Sequence, residues 1–405
     1  MKVALISAEE LYVPPVKGGA IETWIYEVAK RLTDAGHDAY CLSFYDPLIE
    51  KMHNESKVNL LTYKKGVLAK LLLCTWKSPF KNGKSTLFYL PYSFWCAGQA
   101  RRIQADVIHV ATRPHFIPII RLFNPNAKII LHLHNVSAID CGGVRWSRSL
   151  LDKIDLVAAC SEYLEREIIH RYPILSGRTR VLYNGVDTER FNVNSADPDH
   201  RPALRTKYGV GDKEIVILFM GRLVEYKGAH VLIEAFRSLL KNYSAIRLFI
   251  IGGHTYNNNT ETPYIAGLKN MASECDGRII FTGYVDHRNI PDYLDLCDIV
   301  VVPSLWEEPF GVVVIEAMAM KKTVVAFERG GIKEIINDRT GILVRNLSAE
   351  GLRLVLQRLI LDSFSREKFG ENAKLEVDKR FTWEKITGNV LSVYASIKKK
   401  NHAKG

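Results

Sequence analysis

Short apolar runs alternate with amphipathic helical stretches along this whole chain, and the pattern restarts near its middle. That order indicates parallel sheets, because parallel neighbours need a long crossover and a helix is the usual one. In the first half, Lys2–Ser7 reads as a strand and Pro14–Ala20 as a proline- and glycine-rich loop. Glu22–Ala35 follows as an amphipathic helix ended by Gly36, then Asp38–Ser43 as a second strand. Asp106–Ala111, Lys128–His134, Leu156–Ser161 and Arg180–Tyr183 complete that half. The second half begins with strand Glu214–Met220, loop Gly221–Gly228 and helix His230–Tyr243. Strands at Arg247–Gly252, Ile279–Thr282, Ile299–Pro303, Thr323–Phe327 and Gly341–Val344 continue it. Between the halves, Asp187–Asp212 is polar, carries Pro198, Pro202 and Gly209, and reads as a linker.

At 405 residues the chain exceeds one ordinary core, so two Rossmann-like α/β domains are expected, 1–190 and 191–383. Seven scattered cysteines without a CxxC pair argue against a zinc site or a disulfide framework and suit a reducing cytoplasm. The start, MKVALISAEE, is too short for a signal sequence, and the apolar run Ser85–Gly98 is too short to span a bilayer. A soluble cytoplasmic protein is therefore expected. The net charge is +11, concentrated in the first 190 residues, where 25 Lys/Arg face 18 Asp/Glu. Such a surface attracts phosphates, anionic lipid or nucleic acid alike, and a solvated basic face accounts for it equally. No nucleic-acid module accompanies the charge, so nucleic acid is not an expected partner. No short repeat appears, and the final KKKNHAKG is the one biased segment.

Four segments carry candidate chemistry. Val16–Ala20 (VKGGA) follows the first strand and precedes a helix, so Gly18 and Gly19 let backbone N–H groups approach a phosphate. A tight turn alone explains it as well, since neither GxGxxG nor a Walker loop is present. Gly221–Gly228 (GRLVEYKG) sets Arg222 and Lys227 on the loop after a strand, where two cations can neutralise a diphosphate. The alternative is an exposed basic turn with Glu225 as internal partner. Alternation puts His132 and His134 of LHLHN on one face, and His134 lies nearer the strand end. Glu308–Glu316 (EPFGVVVIE) has one acid on the loop leaving a buried strand and another about one turn into the next helix. Crevices at the carboxyl ends of parallel strands bind ligands, and helix-start N–H groups can hold an anion. Neither HExxH nor clustered cysteines point to a metal site.

With LYNGVD (Leu182–Asp187), these segments resemble glycosyltransferase family 4, retaining enzymes of the GT-B fold, over nearly the whole chain. EPFGVVVIE matches that family's E-x7-E signature, and the opening segment and HVATRP (His109–Pro114) look most like the bacterial spore-coat SA-type branch. The resemblance implies two Rossmann-like domains facing a central cleft. It also implies a C-terminal helix, about Trp383–Lys398, crossing back to the first domain so that 384–405 belongs with it. The apolar stripe Ile386, Val390, Val393, Tyr394 and Ile397 suits such docking.

By the same resemblance, Arg222 and Lys227 would bind the donor diphosphate, with Gly19 helping. Glu316 would hold the ribose hydroxyls and Glu308 the transferred hexose. Backbone amides around Phe310, Gly311 and Val312 would meet the sugar or phosphate, and His134 the reacting carbon and C6 hydroxyl. Tyr284 and Val285 would lie beside the base. The family implies a nucleotide-sugar donor, with a UDP-sugar expected, and no metal ion or other cofactor. A hydroxyl acceptor is implied: glycan, lipid-linked or small molecule, in polysaccharide, spore-coat or glycoside synthesis. Phe310 is bulkier than the residues family members often carry there, which bears on sugar specificity. Lys51–Gly98, rich in lysines and aromatics, would help form the acceptor side and admits peripheral membrane contact. Ordinary core aromatics beneath a basic face explain that segment too. A non-catalytic sugar- or coat-binding protein is the alternative function, while an oxidoreductase is disfavoured by the missing GxGxxG.

Overall fold

The structure is a computed structural model, and it describes residues 1–8, 11–16, 18–49, 57–64, 89–139, 146–193, 199–255 and 260–399. Lys17, most of the lysine- and aromatic-rich Lys51–Gly98 stretch and residues 400–405 of the final basic segment lie outside them. By internal contact the chain divides into two units, Met1–Asn184 with Trp383–Gly405, and Gly185–Thr382. These limits differ by a few residues from the boundaries at 190 and 383 read from the sequence.

Among the described residues the N-terminal unit carries β1 (Lys2–Ile6), β2 (Asp38–Phe44), β3 (Asn59–Tyr63), β4 (Val107–Ala111), β5 (Lys128–Leu133), β6 (Leu156–Ala159) and β7 (Thr179–Val181). They form one parallel sheet in the order β3-β2-β1-β4-β5-β6-β7. β3 was not read from the sequence. It is an edge strand of half-buried residues, so it lacks the continuous apolar run of a strand covered on both faces.

The C-terminal unit carries β8 (Ile215–Met220), β9 (Ile246–Ile251), β10 (Ile279–Gly283), β11 (Ile299–Val302), β12 (Thr323–Phe327) and β13 (Gly341–Val344). Its order, β10-β9-β8-β11-β12-β13, follows the same rule. In each sheet the first strand of the unit pairs on one side with the next in sequence and on the other with the fourth. The chain therefore reverses its direction of travel across the sheet between β1 and β4, and again between β8 and β11. Those reversals leave a gap at the strands' carboxyl ends, because the flanking crossovers depart on opposite faces.

The buried cores follow from the strand sequences. IVILFM, IRLFII and IVVV are nearly all apolar, so they suit a sheet with helices on both faces. The Ala229–Leu240 helix turns Val231, Leu232, Ala235, Phe236 and Leu239 into that core. In the N-terminal unit, Trp24, Ile25, Val28 and Leu32 of the Ala20–Asp34 helix pack beneath the sheet. The Trp383–Lys399 helix joins the same core through Trp383, Ile386, Val390, Val393, Tyr394 and Ile397.

One sequence expectation is corrected. The linker Asp187–Asp212 contains a helix, His200–Lys207, with no buried residue and so no apolar period to detect. Pro202 sits in its first turn, where the missing N–H costs no helical bond. The apolar run Ser85–Gly98 begins outside the described residues and continues as the Leu90–Arg102 helix. Among the described residues no helix is long and apolar enough to cross a membrane.

Candidate functional site

The loops after β8 and β11 flank the reversal point of the second sheet, and the sequence-selected Arg222, Lys227, Glu308, Phe310 and Gly311 sit on them. Past Met220 the chain makes the Gly221–Gly228 loop. Its end is set by Gly228, at φ 74°, where a Cβ would run into the Pro303 carbonyl oxygen beyond β11. Only glycine permits that approach, and it brings Lys227 alongside the β11 loop. Lys227 Nζ lies 2.5 Å from Glu308 Oε1, and Ser304 Oγ donates to the same oxygen at 2.5 Å. Glu308 is 6% exposed, so this carboxylate carries its charge inside the protein with a cation and a hydroxyl upon it. Sequence reasoning had given Lys227 and Glu308 separate duties; the fold pairs them.

Arg222 is held differently. Its Nη2 donates to the Tyr226 hydroxyl at 2.6 Å, so its partner is Tyr226 and not Glu225. Tyr226 packs on Trp306 with ring centroids 5.2 Å apart, and Lys227 Nζ stands 5.5 Å from the Trp306 ring. The two aromatics thus lie beside both cations, favourable ground for positive charge near π faces. Neither Tyr226 nor Trp306 was singled out from the sequence, although both lie within or next to the selected segments.

A second glycine fixes the acidic loop. Gly330, at φ 47°, lies so close that a Cβ would strike the Glu308 backbone. Gly331 N–H donates to the Glu308 carbonyl at 2.7 Å, while Glu307 accepts from Gly330 N–H at 2.5 Å and from Arg329 at 2.7 Å. Phe310 is 2% exposed and turns its ring onto Phe381, centroids 5.8 Å apart. Its bulk therefore belongs to the core, and what it can offer a ligand is backbone. Gly311, at φ 106°, caps the Val312–Ala319 helix. Glu316 lies in that helix, 5% exposed, with Oε1 2.7 Å from His287 Nε2. Tyr284 and Val285 are half-buried on the loop after β10. Beside them, Arg288 holds the Asp286 carboxyl down to about 2, and burial followed by that carboxylate raises the Tyr284 hydroxyl.

In the N-terminal unit, Gly18 and Gly19 take φ of 79° and 116° ahead of the Ala20–Asp34 helix, as a backbone cradle requires. The buried carboxylate of Glu22 lies against Gly19.

His134 follows directly on β5 at 9% exposure, with neither ring nitrogen hydrogen-bonded among the described residues. Its ring centroid lies 4.0 Å from that of His132 with the planes tilted by 40°, His132 stands 5.1 Å from His109, and Trp24 packs against all three. His109 Nδ1 meets the Tyr394 hydroxyl at 2.9 Å. Burial holds His134 at about 3 and, with the nearby His134, His109 at about 3. Burial also drives His132 well below its ordinary value, the other two histidines adding to it. All three imidazoles are neutral near pH 7. Among the described residues, no group of three or more His, Cys, Asp or Glu is placed to hold a metal ion.

Comparison with known proteins gives a consistent picture across the chain. Residues 18–190 match the family described as Glycosyltransferase Family 4, and residues 200–376 match Glycosyl transferases group 1. Over 330 residues the chain is 30% identical to a D-inositol 3-phosphate glycosyltransferase of Xylanimonas cellulosilytica, covering 77% of this chain and 72% of that one. It is 27% identical over 401 residues to spore coat protein SA of Bacillus subtilis, covering 97% and 99%. Among solved structures, Anabaena HepE in complex with UDP-glucose superposes with a TM-score of 0.75 at 22% identity, covering 98% and 100%. At that identity the likeness is one of fold.

Proposed function

This chain belongs to glycosyltransferase family 4, with Rossmann-like units of the GT-B fold, and from that membership we propose a retaining transferase acting on a nucleotide sugar. It moves a hexosyl or N-acetylhexosaminyl unit, from a UDP-sugar by preference, to a hydroxyl acceptor. The observation that supports this reading most is the convergence of Arg222, Lys227 and Glu308 where the second sheet reverses. A leaving diphosphate gains negative charge as the C1–O bond breaks, and two cations placed there favour that state over the ground state. Arg222 and Lys227 are assigned to the diphosphate, Glu308 to the hexose, Glu316 to the ribose and His134 to the transferred sugar. Backbone amides near Gly311 and Val312 are assigned to the donor, and Tyr284 and Val285 to the base.

Retention fits attack by the acceptor hydroxyl on the face the diphosphate leaves. The C1–O(phosphate) electron pair departs with the diphosphate, the acceptor oxygen bonds C1, and a phosphate oxygen takes the acceptor's proton. With charge supplied by these side chains, transfer is written without a metal ion. A cell-surface polysaccharide, coat or glycoside pathway is the proposed setting, and contact with a membrane surface through the basic N-terminal half is a further part of this reading.

The test is donor hydrolysis in the presence of EDTA, preceded by a thermal-shift panel of UDP, GDP, ADP and their common sugars, since ligands raise apparent stability by mass action. UDP and one UDP-sugar are expected to raise the melting temperature, and wild type to hydrolyse that sugar faster than Lys227→Ala or Glu316→Ala. No shift with any nucleotide would overturn the enzyme reading. Equal background rates in all three proteins would favour the non-catalytic binding protein.

A further inference from the structure

Arg190, His287 and Glu316 stand in a file within the C-terminal unit. Arg190 Nη2 lies 2.8 Å from His287 Nδ1, nearer than its 3.4 Å approach to Nε2, and His287 Nε2 lies 2.7 Å from Glu316 Oε1. An arginine offers only donors and an ionised carboxylate only acceptors. The ring between them must accept at Nδ1 and donate at Nε2, which selects one neutral tautomer. Each end is anchored. Asp187 Oδ1 accepts the Arg190 backbone N–H at 3.1 Å, and the Arg190 guanidinium lies 4.6 Å from the buried Phe191 ring. Glu316 is fixed in its helix, and the described residues give its Oε2 no hydrogen bond. The turn after the LYNGVD segment thereby gains a purpose: it delivers Arg190 to His287.

We propose that Arg190 and His287 are positioning residues for Glu316. By engaging Oε1 they hold the carboxylate in one rotamer and leave Oε2, with the second lone pair of Oε1, for the cis-diol of a ribonucleotide. This rests on the assignment of Glu316 to ribose. A carboxylate free to rotate would lose that orientation on each encounter, so the file acts on nucleotide affinity and on ribose recognition together.

The experiment is calorimetric titration of the full chain with UDP, GDP and ADP, each beside its 2′-deoxy form. Wild type is compared with His287→Leu, His287→Gln, Arg190→Met and Glu316→Gln. Wild type is expected to prefer the ribose form. His287→Leu should weaken the ribonucleotide about tenfold and the deoxy form about twofold or less, about the loss of one charge-assisted hydrogen bond. Arg190→Met should move in the same direction by less. Glutamine keeps an N–H for Glu316 and a carbonyl for Arg190, so His287→Gln should restore the preference to within about threefold of wild type. Melting temperatures, with the side chain of His287 41% exposed, should stay within about 3 °C. Equal weakening of both nucleotide forms by His287→Leu would mean a merely structural role and overturn the proposal. Preference lost in Glu316→Gln but kept in His287→Leu would overturn the positioning role alone. Preference kept in Glu316→Gln, or no binding by wild type, would overturn the ribose assignment and this proposal with it.

Discussion

Ser304 and Lys227 both place donors on one oxygen of a buried carboxylate, and that crowding makes Glu308 the residue where stability and activity separate. Removing Lys227 leaves Glu308 charged and short of its counterion at 6% exposure. Lys227→Met should therefore destabilise the C-terminal unit by about 2 kcal/mol, below the range for fully buried pairs because the lysine side chain is 21% exposed. Ser304→Ala should cost about 1 kcal/mol and lower kcat/KM about tenfold. Adding Glu308→Gln to Lys227→Met should recover most of the stability, since a neutral amide needs no counterion, while turnover stays about 10²-fold down. Urea unfolding and donor turnover on the four proteins check this. A double variant as unstable as Lys227→Met would refute the pairing argument. Ser304 went unnoticed in the sequence because a serine after a strand signals only a turn; its partner is set by how Gly228 and Gly330 seat the two loops.

Strand β5 shows what a single element reveals and what it conceals. Alternation places His132 and His134 on one face, but the residues covering that face come from elsewhere: Trp24 of the first helix, His109 of β4 and, against His109, Tyr394 from the chain's end. No local pattern could show that these imidazoles are buried and neutral. Their folded values lie below the unfolded value near 6.5, so the unfolded chain binds protons that the folded one refuses. Stability from this cluster is complete above about pH 6.5 and falls as pH drops toward about 3, each histidine contributing up to about 1.4 kcal/mol per pH unit. Melting followed from pH 8 to pH 5 should show the N-terminal unit weakening below pH 6.5, and His132→Phe should flatten the slope. A pH-independent melting temperature over that range would show that these rings are hydrated or charged in the folded state.

At the scale of the molecule, alternating apolar runs made both sheets legible, since strands buried on both faces announce themselves in composition. The half-buried β3 and the polar His200–Lys207 helix were silent because neither buries a continuous face. The closing helix was legible through its stripe, and its consequence concerns folding. Trp383, Ile386, Val390, Val393, Tyr394 and Ile397 are buried in the same core as Val3, Leu5 and Trp24 at the other end of the chain. Burying each is worth about 1.5–3 kcal/mol, so six together rival the 5–15 kcal/mol net stability of a whole domain. The N-terminal unit therefore cannot finish folding until the last helix has left the ribosome, whereas Gly185–Thr382 holds its own core in continuous sequence. Truncation after Thr382 should leave the N-terminal unit unfolded or aggregating, and the isolated 185–382 segment should melt cooperatively. Supplying 383–405 as a separate peptide should fail at micromolar concentration, because joining it costs the association entropy that the intact chain avoids. Limited proteolysis read by mass spectrometry checks each step, and a protease-resistant 1–184 core in the truncated protein would show that the helix is dispensable.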